Sequence, residues 1–230
     1  MKNLPSVWLS IAKKWLRKCC VRLKKLRDNK HILATPDSIR KAAEIVRSGG
    51  VVALPTETFY ALAVDPFSPK ALEKLFTIKK RSLSKPILLL ISSHQQLQLL
   101  VKEVPPLYES LLRIYWPGPL TLIFRASSTL PSLLTGGTGT VGIRFSSSDT
   151  VMKLCSELEG PVTGTSANIS GGLPGANSKD ILKIFGNQVD LVLENRFKNS
   201  LQKKGSTIVD GLSGKLRVIR EGVIPEHEIL

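Results

Sequence analysis

The stretch Thr35-Pro36-Asp37-Ser38-Ile39-Arg40-Lys41-Ala42-Ala43-Glu44-Ile45-Val46-Arg47-Ser48-Gly49-Gly50-Val51-Val52-Ala53-Leu54 reads as a helix that passes directly into a buried strand. Thr35 supplies a capping hydroxyl, and Pro36 enters the first turn with its φ already set. Ile39, Ala42, Ala43 and Val46 recur at helical spacing and make a buried stripe. Gly49-Gly50 ends the helix, because glycine tolerates positive φ. Val51–Leu54 is apolar without alternation, as expected of a strand covered on both faces.

The same alternation continues outward. Ser68-Pro69 starts a second helix, with Leu72, Leu75, Phe76 and Lys79 on related faces. Ile87–Ile91 is another strand without polar alternation. Residues 105–115 read as helical and stop at Trp116-Pro117-Gly118-Pro119, which cannot continue a helix. Strands follow at Leu120–Phe124 and Val141–Phe145, a helix at Thr150–Leu158, and a short strand at Pro161–Thr165. A helix at Ser178–Phe185 precedes strands at Val189–Leu193, Thr207–Val209 and Leu216–Ile219. Helices interleaved with strands predict an α/β domain over residues 35–230, with the closely spaced late strands partly antiparallel.

Composition bounds the rest. At 230 residues with 42% apolar content, one domain with a sizeable core is expected. No apolar run reaches the ~18 residues that a membrane span needs. Cys19, Cys20 and Cys155 show no metal or disulfide spacing, and His31, His94 and His227 are scattered, so a reducing compartment and no protein-held metal are expected. Residues 1–30 hold ten Lys/Arg and one Asp, a net of +9, leaving +6 of the total +15 for the other 200 residues. Residues 1–34 therefore read as a basic extension. Trp8, Ile11, Trp15, Leu16 and Cys19 give it helical spacing with a basic face. An arm for tRNA or a membrane surface, an organelle presequence (without the usual serine richness) and a poorly ordered extension are all open readings.

Several motifs fail their own context. Gly137-Thr138-Gly139-Thr140-Val141-Gly142 fits a dinucleotide fingerprint but leads into a strand, and Asn168-Ile169-Ser170 fits a glycosylation sequon without other secretory signs. No P-loop occurs. The remaining polar residues suit anions. Lys79, Arg81 and Lys85 fall within seven residues, and a solvated basic helix end is the alternative for them. Lys79 and Arg81 are expected to be exposed there. Ser166 and Asn168 fit turn chemistry equally well. Arg144 interrupts the apolar run Val141-Gly142-Ile143, where an unpaired charge is costly. Its partner is either an Asp or Glu or a ligand carboxylate, and Arg220 invites the same argument.

Taken in order, six motifs resemble the YrdC-like family. They are Pro55-Thr56-Glu57-Thr58, Lys79-Lys80-Arg81, Trp116-Pro117-Gly118-Pro119-Leu120-Thr121, Val141-Gly142-Ile143-Arg144, Thr165-Ser166-Ala167-Asn168-Ile169-Ser170-Gly171 and Ser206-Thr207-Ile208-Val209-Asp210. The resemblance covers about residues 35–225 and points to the single-domain form of the L-threonylcarbamoyladenylate synthases. It implies a YrdC-like twisted mixed sheet with surrounding helices and a concave basic hollow.

The activity implied is formation of threonylcarbamoyl-AMP and pyrophosphate from L-threonine, bicarbonate and ATP, in the cytoplasm. The product would pass to the proteins that modify tRNA. Mg²⁺ would arrive with ATP. By the same resemblance Lys79, Arg81, Lys85, Thr140, Ser166, Asn168 and Arg220 would hold ATP, and Thr58, Arg144 and Ser206 would hold threonine. No nucleophilic side chain is implied, because fixed cations that neutralise converging anions suffice. Leu90 stands where relatives often have His, and the loop 171–177 lacks their usual Ser-Pro-Thr, so no ligand role is assigned within it. Two other readings are a tRNA- or double-stranded-RNA-binding module without catalysis and a carbamoyltransferase accessory domain.

Overall fold

The computed structural model describes residues 30–195 and 204–230. The basic arm read from sequence lies, apart from its last residues, outside these. The opening helix is α1 (Pro36–Arg47). Thr35 caps it as expected: Ser38 N–H donates to Thr35 Oγ1 at 3.3 Å, and Thr35 N–H donates to Ser38 Oγ at 2.7 Å. Gly49, at φ +81°, turns the chain into β2 (Val52–Pro55).

Two mixed sheets carry the domain, where the sequence suggested one. The first has the order β1 (His31–Leu33), β9 (Leu191–Glu194), β2, β3 (Tyr60–Ala63), β8 (Thr165–Ser166). In it β9 runs parallel to both β1 and β2, while β3 is antiparallel to β2 and β8. The second has the order β11 (Arg217–Arg220), β10 (Thr207–Asp210), β5 (Leu120–Arg125), β6 (Thr140–Phe145), β4 (Leu89–Ile91), β7 (Val162–Thr163). The late pair β10–β11 is antiparallel, as expected. Residues 31–33, assigned from sequence to the extension, are instead an edge strand. His31 Nε2 lies 2.6 Å from Glu194 Oε2 there.

The absence of alternation in β2 has a direct cause. Val52 and Leu54 face a core built from Ile39, Ala42 and Val46 of α1 and from Val151 and Leu154 of α6 (Asp149–Leu158). Val51 and Ala53 face the other way, into the larger core with Leu72, Leu75 and Phe76 of α2 (Pro69–Lys79). Both faces are buried, so both carry apolar residues. The helices α3 (His94–Leu100), α4 (Glu109–Tyr115), α5 (Ser132–Thr135) and α7 (Ser178–Phe185) complete the described set. The strand expected at Pro161–Thr165 is two strands, one in each sheet. Gly164 sits between them, its N–H donating to Leu88 O at 2.8 Å. A Cβ there would lie 2.5 Å from Leu90 Cγ, so only glycine fits the crossing without displacement.

Candidate active site

The crossing at Gly164 brings the sheets together around a cavity of about 340 Å³. The first sheet contributes Tyr60 and Ser166, with Thr58 from the turn between β2 and β3, and the second contributes Arg144, Ile208 and Arg220. Arg81 comes from the loop after α2, and Ser206 from just before β10. Leu88, Ile123 and Gly142 make an apolar part of the wall. Among the described residues no Asp or Glu lines the cavity, and Arg81, Arg144 and Arg220 give that lining a positive sign.

Arg144 is 3% exposed, on β6. The anionic partner left open by the sequence is Glu57, whose Oε1 lies 3.4 Å from Arg144 Nε. The angle is poor, and neither atom gains a hydrogen bond from the contact, so it is an ion pair only. Glu57 Oε2 accepts from Ser146 Oγ at 2.5 Å. Arg144 Nη1 donates to Thr58 Oγ1 at 2.9 Å. Burial lowers the Arg144 pKa, and Glu57 opposes the shift. Arg220 donates to Ser206 O at 2.8 Å. Its pKa is lowered by burial and then by the charge of Arg144. Two arginines that feel one another inside one cavity make a site for anions. Ser206 Oγ is 2.8 Å from Thr121 Oγ1, a contact residue that the sequence reading quoted in a motif but gave no role.

Arg81 is half-buried rather than exposed, and burial lowers its pKa. Its Nη2 donates to Pro86 O at 2.7 Å and its Nε to Lys85 O at 3.3 Å, so the guanidinium braces its own loop while facing the cavity. Lys79 departs furthest from expectation. It is 1% exposed, in the core rather than at an open helix end. Its Nζ donates to Ser166 O, to Asn168 O at 2.8 Å and to Asn168 Oδ1 at 3.3 Å. Burial, and then the charge of Arg81, push its amine down to about 7. Lys79 thus lies behind the Ser166–Asn168 turn and fixes its shape. Helical spacing puts it there: Lys79 follows Leu72, Leu75 and Phe76 on the buried face of α2, which ends at Lys80 in the αL conformation, φ 49°.

Of the remaining expected nucleotide contacts, Lys85, Thr140 and Asn168 are not in the cavity wall. Lys85 is exposed; Thr140 Oγ1 pairs with Thr138 Oγ1 at 2.9 Å. Asn168 accepts from Ser166 Oγ at 2.7 Å and donates to Gly172 O at 2.6 Å. Leu90 is fully buried in the smaller core, and Leu88 faces the cavity instead. Pro174, in the loop given no role, lines the cavity. The Gly137–Gly142 fingerprint runs into β6, as its context required.

The family model of Sua5, YciO and YrdC proteins, described as "Telomere recombination", matches residues 44–222. The chain belongs to the Sua5/YciO/YrdC family. A threonylcarbamoyl-AMP synthase of Coxiella burnetii is 39% identical over 159 residues, covering 68% of this chain and 84% of the relative. One from Vibrio cholerae is 35% identical over 192 residues, 83% of this chain and all of the relative. The crystal structure of Pyrococcus abyssi Sua5 complexed with L-threonine superposes with a TM-score of 0.81 at 31% identity, covering 86% of this chain and 58% of that one. This Sua5/YciO/YrdC domain therefore has the expected mixed α/β class, in two sheets.

Proposed function

We propose that this cavity joins L-threonine, bicarbonate and ATP into threonylcarbamoyl-AMP and pyrophosphate, a nucleotidyl transfer. The observation that carries the reading is the convergence of Arg81, Arg144 and Arg220 on one cavity whose wall, among the described residues, has no carboxylate. Threonine's amine and bicarbonate give a carbamate and water. A carbamate oxygen then forms a bond to the α-phosphorus while the bond to pyrophosphate breaks. The threonine carboxylate, the carbamate and the triphosphate are all anions, and crowding them together is the main electrostatic cost. Arginines already fixed and partly desolvated offset it without reorganisation. In this reading Arg144, with Thr58 and Ser206, holds the threonine end. Arg81, Ser166 and Arg220 hold the nucleotide end, with Lys79 shaping the turn that carries Ser166. Lys85, Thr140 and Asn168 would reach ATP only beyond the cavity wall.

Mg²⁺ would travel with the phosphates. Glu57 is the nearest acid to the threonine end, and its two oxygens face Arg144 and Ser146, which does not fit a protein-held cation. Among the described residues no helix is long and apolar enough to cross a membrane. In this proposal the reaction runs in the cytoplasm, where ATP, bicarbonate and the tRNA-modifying proteins that would consume the product meet. The direct test follows pyrophosphate from ATP with and without threonine and bicarbonate. Release that requires both supports the reading. RNA binding with no such release would favour a binding module instead.

A further inference from the structure

The hydroxyl protons beside Arg144 have only one consistent arrangement. Thr56 is 4% exposed, and its Oγ1 sits 2.7 Å from Phe59 O, 3.1 Å from Thr58 N and 3.0 Å from Thr58 Oγ1. A hydroxyl has one proton to give and two lone pairs to share. A carbonyl can only accept, so the Thr56 proton goes to Phe59 O. The Thr58 N–H can only donate, so it takes one Thr56 lone pair. Thr58 Oγ1 must then donate its own proton into the remaining lone pair. Arg144 Nη1, donor only, occupies one Thr58 lone pair at 2.9 Å. One lone pair is left on Thr58, a residue of the cavity wall.

We propose that Thr56 is a positioning residue, which takes up the Thr58 proton and so presents Thr58 to the amino-acid substrate purely as a hydrogen-bond acceptor for its α-amine N–H. The inference rests on the threonine reading above. Arg144 is the neighbour of Thr58, so a carboxylate on Arg144 puts the adjacent amine within reach of Thr58. An N–H held by an acceptor directs the nitrogen lone pair away from Thr58, the orientation in which it can attack carbon. Without Thr56 the Thr58 hydroxyl could turn its proton toward the cavity and meet the amine donor with a donor.

The test compares Thr56→Val, Thr56→Ser and Thr56→Cys in pyrophosphate release. Removing the arrangement should raise KM for threonine about tenfold, the scale of one buried hydrogen bond. KM for ATP should stay within about twofold, since Thr56 faces the threonine end. Thr56→Ser should restore threonine KM, and Thr56→Cys, a poor hydrogen-bond partner, should resemble valine. If the valine variant does not fold, the cysteine variant decides. Equal damage to both substrates, or a threonine KM unchanged in the cysteine variant, would overturn the proposal. L-2-aminobutyrate, which keeps the amine and lacks the hydroxyl, should lose inhibitory strength in the variants as threonine loses affinity; if it does not, the amine assignment is wrong. A wild-type chain without threonine-dependent release would defeat the functional reading itself, a separate outcome.

Discussion

Arg144 shows how a single side chain can serve the scaffold and the site at once. Glu57 answers its charge and Thr58 one of its nitrogens, yet Nη2 has no protein partner among the described residues. Arg144→Lys keeps the charge and loses the planar fork. Threonine KM should rise by about tenfold or more with ATP binding little changed, a loss on the order of 1.5 kcal/mol. Threonine titration at saturating ATP, with melting temperature alongside, checks it. A lowered melting temperature with unaltered threonine affinity would return the residue to the scaffold. Lys79 is the residue that sequence misplaced. A lysine in the last turn looks like a solvated end, although its spacing from Leu72, Leu75 and Phe76 places it on the buried stripe of α2. Its amine is held at about 7, below the ordinary 10.5, by burial first. The unfolded chain therefore binds more protons than the folded one between these values. Stability from this group is complete above the unfolded pKa and is lost as pH falls through the folded one. Wild type should accordingly gain stability from pH 7 to 9 relative to Lys79→Met, in denaturant melts at each pH. Parallel curves would show that the amine titrates normally.

Elements whose signals are local were legible in sequence. The cap at Thr35, the stripe of α1 and the glycines at its end all survive in the structure, because each depends on neighbours within one turn. Thr35→Ala should remove the reciprocal bonds with Ser38 and cost about 1 kcal/mol. For a chain of this size that is a fall of roughly 2–4 °C in melting temperature. Pyrophosphate release should be unchanged at 25 °C, because no residue of α1 lines the cavity. A loss of activity at that temperature would link this helix to the site. What sequence could not reach was partnership. Residues 161–165 read as one strand, and only tertiary pairing divides them between β4 and β3. Tyr60–Ala63 and His94–Leu100, of four and seven residues, are too short for periodicity to mark them. The site was legible as types of residue in an order. Which of them reach the cavity was not, since Arg81 and Lys79 stand two apart yet face opposite sides of the same turn.

At the scale of the whole molecule, the basic excess of residues 1–29 should be separable from the cavity and its activity. Deleting residues 1–29 removes a net charge of +8 and stops short of β1. Lys30 should stay, since its carbonyl accepts from Val192 N–H at 2.7 Å. The truncated chain should release pyrophosphate at the full rate, while association with tRNA weakens and becomes less salt-dependent. Filter binding across a salt series measures the slope, and an unchanged slope would place the RNA-facing charge on the domain itself. The two sheets are joined at Gly164, and the cavity takes its walls from both. An occupant of that cavity is thus a strut across a joint. Its binding energy should appear as resistance of the entire chain to heating: a nucleotide held at a hundred times its dissociation constant adds about 2.7 kcal/mol. One sharp, later melting transition would be the signature. Two transitions, of which only one moves, would mean that the sheets come apart independently and that the joint bears no load.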